Sequence, residues 1–279
     1  MGKHGKCSHD VEACYPPGGD GGMYPYMMES PQMRWAFIRK VYAIVCLQLL
    51  LTVAVAATVN LVGAIGDFFR SRTMGAIAAT IAVIIFPILG TCFFLDFSCM
   101  HIIYVFVHMD HRSTSLLGVH AVMIPMIIYR KRHPVNLMLL ALFTVGISFA
   151  VGLSCLSAKG PVILEAVVIT MVVVLGLTAY TFWAAKQGYD FEFLGPFLMT
   201  AVLILMLFGL VRILFPLGKT GTMVYGCIAA LVFSGFIIYD TDNLIKRYSY
   251  DEYVAAAIEL YLDIINLFQA ILAVIEGCD

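Results

Sequence analysis

Residues 161–184 read PVILEAVVITMVVVLGLTAYTFWA and carry one charged side chain, Glu165. An apolar run of this length exceeds the roughly 20 residues with which an α-helix crosses the hydrocarbon core of a bilayer. The whole chain shares this character, since 61% of its residues are hydrophobic and 13% are charged, against about 25% charged residues in a soluble domain. The sequence therefore excludes a soluble globule and predicts helices that span a membrane.

Six further apolar runs approach spanning length, at residues 41–65, 74–95, 135–158, 191–217, 222–239 and 253–275. Polar segments separate the runs and are typical of loops. We therefore predict an all-α polytopic membrane helix bundle with seven transmembrane helices over residues 35–279. Residues 1–34, which are rich in Gly, Pro and Tyr, are predicted to form a disordered cytosolic tail.

The distribution of Lys and Arg predicts the orientation. These residues concentrate in the tail and in the loops on the same side of the membrane, above all at residues 130–132, and positive charge marks the cytosolic side. The formal net charge of −1 offers no basic surplus for binding nucleic acid. The eight Cys lie mostly in apolar runs without a Cys-x-x-Cys repeat, which favours buried thiols over a disulfide scaffold or metal site. No cofactor is predicted.

Acidic side chains within or beside the late runs are functional candidates, because an ionisable group at membrane depth is costly. They are Glu165, Asp240, Asp242, Glu259 and Asp263. Asp240 ends the sixth run and Asp263 lies inside the seventh, so two neighbouring antiparallel helices could bring the carboxyl groups together. Glu259, Asp263 and Asn266 follow at spacings that share one helical face, which makes Glu259 and Asn266 further candidates for polar positions along a pore.

Two carboxyl groups in contact in a low-dielectric site cannot both ionise cheaply, so the pair should share a proton. Such a pair could act as a pH switch or as an ion site. Alternatively, Asp240 lies at the interface and contacts Lys246 and Arg247. Arg130, on the same predicted side, could form a salt bridge to Asp240, or could be an ordinary basic anchor that reaches the lipid headgroups.

Four strings, taken together and in this order, resemble the transmembrane Bax-inhibitor-motif family, in particular its lifeguard branch. They are AFIRKVY at residues 36–42, RHPVNL at 132–137, FIIYDT at 236–241 and LYLDIINLF at 260–268. The resemblance covers about residues 35–95 and 124–275. It implies seven helices with the last one packed centrally, a leak of calcium as permeant ion across intracellular membranes, and suppression of cell death.

The resemblance also implies roles for individual residues. Asp240 and Asp263 match a pair of aspartates that senses pH, and Arg130 matches an arginine that latches the pair. The implied partners are the lipid bilayer, calcium ions and membrane proteins of cell-death control, and the implied location is the endoplasmic reticulum or the Golgi.

The chain departs from this family pattern at about residues 91–123. Family members run from the second helix directly into the Arg-x-Arg-His-Pro junction, whereas here two runs too short to span a membrane intervene. We interpret this segment as an atypical insert that forms a non-spanning excursion or short hairpin. Our hypothesis is an alternative or misread transcript, in which residues 123–129 are the true end of the second helix.

Three other functions are compatible with parts of this pattern. An intramembrane aspartyl protease would also place Tyr-Asp on the sixth helix and Asp on the seventh, but the Gly-x-Gly approach and the Pro-Ala-Leu motif of those enzymes are missing here. A non-conducting membrane interaction protein that modulates cell-death or stress signalling remains an alternative. A secondary transporter is disfavoured because the chain has no clear internal repeat with paired broken helices. We therefore expect that the protein is not an enzyme.

Overall fold

The computed structural model describes residues 31–71, 135–215 and 218–278, and in these residues every regular element is helical. The helices are α1 (Pro31–Leu61), α2 (Gly63–Arg70), α3 (Val135–Cys155), α4 (Gly160–Lys186), α5 (Leu194–Leu214), α6 (Gly218–Lys246) and α7 (Tyr253–Cys278), with a short 3-10 turn at Tyr250–Glu252. The predicted all-α helix bundle is confirmed. The second predicted span (74–95), the insert (91–123) and residues 1–30 of the tail lie outside the described residues.

Four described helices are long and apolar enough to cross a bilayer: α1, α4, α6 and α7. Helices α3 and α5 have 21 residues each, which corresponds to about 30 Å at 1.5 Å per residue. Large apolar side chains such as Leu47, Val172 and Leu231 are exposed along the outer faces. A bundle with this apolar exterior is a multi-pass membrane protein in contact with lipid.

Helix α7 is the central helix, as expected. In its most apolar stretch 67% of the residues are buried, against 28% or less in the other three long helices. It packs against α1, α3, α4 and α6. Because it is surrounded by protein, α7 can carry ionisable groups that a lipid-facing helix could not.

Helix α1 begins at Pro31, ten residues before the predicted start of the first span at Val41. The extra turns are helical because Arg34, Phe37 and Ile38 are buried against the bundle. The first helix also ends earlier than predicted, at Leu61, because Val62 is extended and a separate helix, α2, follows. The hydropathy pattern does not predict residues 31–40 as part of the first span, because polar residues interrupt the apolar face of these turns.

Helix α6 continues through Lys246, although the apolar run that predicted it ends at Tyr239. Its last turns are polar in sequence, but Asp242, Leu244 and Lys246 are all buried. This extension places Asp240 inside the helix rather than at its end.

Helices α6 and α7 approach closely at Gly226. A Cβ atom at this position would lie 2.8 Å from the carbonyl oxygen of Ala270 and 2.9 Å from a methyl group of Val274. Gly226 and Ala230 are small residues at a spacing of four, a pattern that permits such close helix contacts. The contact fixes how near α6 and α7 can lie, and therefore how near their side chains can come.

We expect Gly226→Ala to lower the free energy of unfolding by about 1–2 kcal/mol, because the new methyl group would push against backbone atoms. Gly176→Ala on α4 is the matched control, since nothing lies within 4 Å of its Cβ position. That control should be neutral or stabilising by up to about 1 kcal/mol, as is usual when alanine replaces a helical glycine. Thermal unfolding in detergent measures both. Equal shifts of the unfolding midpoint in the two variants would contradict a close contact between α6 and α7 at Gly226.

Candidate functional site

The turn between α6 and α7 brings two acidic side chains together. The 3-10 turn is closed by a capping box in which Ser249 and Glu252 bond reciprocally, a typical way to begin a helix. The two helices then run antiparallel, and the carboxyl group of Asp240 on α6 lies against that of Asp263 on α7, close enough for the two groups to interact. The predicted contact between the two carboxyl groups is present in the structure.

The pair lies inside the bundle with unequal access. Asp263 is buried, whereas Asp240 is only partly buried. The Asp240 carboxyl also lies beside the Asn243 side chain, while the Oδ2 atom of Asp263 is buried and lacks a hydrogen-bond partner within the described chain. A hydrogen bond between two carboxyl groups needs a proton on one of them. The arrangement is therefore suited to sharing one proton, and it leaves one buried oxygen available for a further donor or cation.

The other predicted polar positions differ in their relation to the pair. Glu259 lies one turn before Asp263, close enough for its charge to act on it, and accepts a hydrogen bond from the Tyr248 hydroxyl. Asn266 lies about one turn after Asp263 and is partly buried. Glu165 is exposed on α4 and is not brought to the pair. Arg130, the predicted latch, lies outside the described residues.

Lys246 and Arg247 contact Asp242 rather than Asp240. The ammonium group of Lys246 lies 2.6 Å from an oxygen of Asp242, and Arg247 lies 3.2 Å from the other oxygen. The side chains of Asp242 and Lys246 are almost completely buried. The alternative interpretation, in which these cations pair with Asp240, is therefore wrong about the partner, because Asp240 faces α7 and Asp242 faces the loop before α5.

This charged group fastens the loop at residues 187–193 to the end of α6; we call it the ion-pair clasp. Lys246 donates to the carbonyl of Tyr189 at 2.5 Å, and the backbone N–H of Phe191 donates to Asp242 at 3.3 Å. Arg247 reaches Asp190 at 2.5 Å and Glu192 at 3.4 Å. The loop turns at Gly188, whose φ of 87° is readily accessible to glycine.

The clasp changes the ionisation of the loop. Partial burial raises the pKa of the Asp190 carboxyl, but the hydrogen bond from Arg247 and the charges of Arg247 and Lys246 lower it more, so that the net pKa lies below its usual value. Asp190 therefore keeps its charge in mildly acidic solution. Within the described residues no group of three or more His, Cys, Asp or Glu is placed to hold a metal ion.

Sequence reasoning missed the buried basic residues around this site. Lys246 was assigned to a loop, although its spacing of four from Asp242 is that of a helical ion pair. Arg34 was assigned to the tail, but its guanidinium donates to the carbonyl of Tyr248 at 2.5 Å. No local signal in the sequence pairs Arg34 with a residue so far along the chain.

Comparison with known proteins extends the resemblance to nearly the whole chain. Residues 34–278 match the family described as inhibitor of apoptosis-promoting Bax1, Bax1-I. Protein LIFEGUARD 4 of Arabidopsis thaliana is 50% identical over 262 residues, which cover 94% of this chain and 93% of the relative. Protein LIFEGUARD 2 of the same plant is 49% identical, with coverage of 97% and 98%. The Golgi anti-apoptotic protein of Vaccinia virus (strain Lister) is 35% identical, with coverage of 88% and 87%.

Proposed function

The chain belongs to the Bax1-I family of inhibitors of apoptosis-promoting Bax1, and from this premise we propose that it is a pH-sensitive calcium leak channel that suppresses programmed cell death. The proposed channel lies in an intracellular membrane, in the endoplasmic reticulum or the Golgi, with its N-terminus in the cytosol. The name of the Vaccinia virus relative, a Golgi anti-apoptotic protein, supports both the cell-death role and the endomembrane location.

The observation that carries the proposal is the contact between the carboxyl groups of Asp240 and Asp263. A single shared proton holds the two carboxyl groups together. When that proton leaves, two like charges face each other and repel. The contact between α6 and the central helix α7 is then weakened, which gives a physical route from pH to the opening of the bundle.

The acidic face of α7 supports a cation as the permeant species. Glu259 and Asp263 lie one turn apart on this face, and Asp240 is only partly buried, so that a cation approaching it meets carboxylate oxygens. Calcium prefers oxygen ligands of this kind. Asn266 adds an amide oxygen on the same face. Glu165, exposed on α4, would act at most at the edge of such a path, and Arg130 is proposed as the latch of the pair.

The decisive measurement is calcium flux into proteoliposomes as a function of pH. In the unmodified protein we expect the flux to rise as pH increases through the titration of the pair. Asp240→Asn and Asp263→Asn each remove one titrating group, and Asn–Asp cannot develop two facing negative charges. Each variant should therefore show a flux that varies little over the same pH range.

Glu165→Gln is the control, because this carboxyl group is away from the pair and its loss should leave the pH response intact. Thermal unfolding of every variant checks that the bundle is folded. If both aspartate variants kept the pH response of the unmodified protein, the gating proposal would be wrong. If the unmodified protein conducted no calcium at any pH, the non-conducting interaction protein would be favoured.

A further inference from the structure

Two threonines inside the bundle do not make the usual hydrogen bond of a helical threonine. In seven others the hydroxyl donates to the carbonyl four residues earlier: Thr52, Thr58, Thr144, Thr170, Thr181, Thr200 and Thr222. This bond is open to any threonine within a helix. Thr178 on α4 and Thr241 on α6 do not make it, and both hydroxyl oxygens are buried without a partner in the described chain. Their hydroxyls are turned away from their own backbones.

A third hydroxyl group lies beside those of Thr178 and Thr241. The Tyr42 hydroxyl, on α1, faces both Thr178 and Thr241, yet its oxygen is also buried and makes no hydrogen bond of acceptable geometry within the described residues. Three helices thus direct three hydroxyls toward one another without satisfying them. Leaving such groups unpaired at membrane depth is unfavourable, so the arrangement calls for a partner that bonds to all three.

The position of this hydroxyl cluster, Tyr42 with Thr178 and Thr241, is enclosed. Thr178 lies about 12 Å inside the end of α4, and Thr241 about 8 Å inside the end of α6, at 1.5 Å per residue. Toward those helix ends the rings of Trp35 and Phe182 stack at 5.8 Å, and the ring of Phe182 lies 6.4 Å from that of Tyr42. Bulk water therefore does not satisfy the cluster directly.

We propose that the hydroxyl cluster binds one buried water molecule that bridges α1, α4 and α6. A water with three protein partners is typical of buried waters in proteins, and hydroxyls can donate to it or accept from it as needed. The set is neutral, which suits water better than an ion. The neighbouring acids on α6 face other partners, since Asp240 lies against Asp263 and Asp242 pairs with Lys246 and Arg247.

The bound water would lie within one residue's rise of Asp240 along α6. Water would then be present inside the bundle at the depth of the carboxyl pair. This inference stands on the three hydroxyls alone and does not depend on calcium conduction.

Radiolytic hydroxyl-radical labelling in lipid nanodiscs tests the inference, because a bound water generates the radical beside the residues that hold it. The tyrosines supply internal standards. Tyr189 is exposed and should be labelled fast. Tyr261 is buried, and its hydroxyl is already bonded to Thr52 at 2.8 Å, so it should be labelled slowly. We expect Tyr42 to be labelled several-fold faster than Tyr261 and to incorporate ¹⁸O from isotopically labelled water.

The double variant Thr178→Val, Thr241→Val removes two of the three hydroxyls with little change in volume, and it should reduce Tyr42 labelling to the level of Tyr261. The matched control is Thr170→Val, Thr181→Val, which alters two buried threonines that bond to their own helix and should leave Tyr42 labelling unchanged. Unaltered rates at Tyr189 and Tyr261 report that each variant is folded.

The milder variant Thr178→Ser keeps the hydroxyl and should keep the labelling, which separates loss of the water from any general change in packing. Labelling of Tyr42 no faster than that of Tyr261 in the unmodified protein would overturn the inference, because the hydroxyls would then bond to one another in a dry site. Unchanged labelling in the Thr178, Thr241 double variant would overturn it as well.

Discussion

Replacing Lys246 by methionine should lower the free energy of unfolding by about 3 kcal/mol. The substitution keeps the apolar stem and removes the ammonium group, which lies 2.6 Å from Asp242 and donates to the carbonyl of Tyr189. The buried carboxylate would then be left with Arg247 at 3.2 Å as its remaining cation. Breaking a buried ion pair costs about 3–5 kcal/mol. Because Arg247 still contacts Asp242, we expect a loss at the lower end of this range.

Thermal unfolding in detergent measures this loss, and at about 2–4 °C per kcal/mol it should lower the midpoint by roughly 6–12 °C. Lys186→Met is the matched control, because Lys186 is likewise the last residue of a long helix but is exposed. It should change stability by less than about 0.5 kcal/mol. Similar unfolding midpoints for the two variants would show that the clasp contributes nothing to the stability of the fold.

A double variant tests the cause of the loss. Changing Asp242→Leu together with Lys246→Met removes both buried charges at once, and apolar replacement of a complete buried pair is often neutral or stabilising. The double variant should therefore be more stable than Lys246→Met alone. A further drop would show that the hydrogen bond from the Phe191 backbone to Asp242 matters more than the charge pairing.

Asp190 of the clasp and the carboxyl pair of Asp240 and Asp263 should respond differently to pH. The pKa of Asp190 lies below its usual value because the effects of Arg247 and Lys246 outweigh its partial burial. A carboxyl group of this kind contributes stability above its unfolded pKa and loses it only as pH falls through the lower folded pKa. The contact between Arg247 and Asp190 should therefore persist at mildly acidic pH, and a pH response of the flux in that range would not arise from Asp190.

The candidate pair could be predicted from the sequence because its determinants are local. An acid at the end of one apolar run and another inside the next, joined by a short polar segment, place Asp240 and Asp263 on neighbouring antiparallel helices. The spacing of Glu259, Asp263 and Asn266 fixes which side chains share a face. The apolar runs likewise predicted the long helices, since backbone groups in lipid must be bonded within the helix.

The clasp could not be predicted in the same way. Hydropathy ends the sixth run at Tyr239, with Asp242 beside it and Lys246 in the following loop, because each charge is costly to bury alone. Their pairing with each other and with the 187–193 loop is what makes the last turns of α6 helical and buried. The sequence also does not show which acidic side chains are exposed. Glu165 and Asp263 both lie in apolar runs, but α7 is central and the Glu165 side of α4 is exposed, a distinction that depends on the assembled bundle.

Arg34 is the other residue whose loss should be costly. Its side chain is buried, and its guanidinium donates to the carbonyl of Tyr248 at 2.5 Å and, more weakly, to that of Leu244 at 3.5 Å. These carbonyls lie at the end of α6, where backbone acceptors are left without helical partners and where positive charge is favourable. The rings of Phe37 and Tyr250 lie 5.5 Å and 5.7 Å from the guanidinium carbon.

We expect Arg34→Met to lower the free energy of unfolding by about 3 kcal/mol, since a hydrogen bond to a charged group contributes about 1.5–3 kcal/mol and each contact with an aromatic ring about 0.5–1 kcal/mol. Arg39→Met is the matched control on the same helix, because Arg39 is exposed and its side chain donates to the carbonyl of Trp35 one turn earlier. Thermal unfolding in detergent should separate the two variants by several degrees.

The conservative variant Arg34→Lys distinguishes charge from geometry. A lysine supplies the same positive charge to the end of α6, but its single ammonium group cannot reproduce the planar fork that reaches two carbonyls and lies over two rings. If geometry dominates, Arg34→Lys should lose most of the stability that Arg34→Met loses. Protease should also cleave near residue 34 faster in both variants, because the first turns of α1 would detach from α6. Full stability in Arg34→Lys would instead assign the contribution of Arg34 to its charge at the helix end.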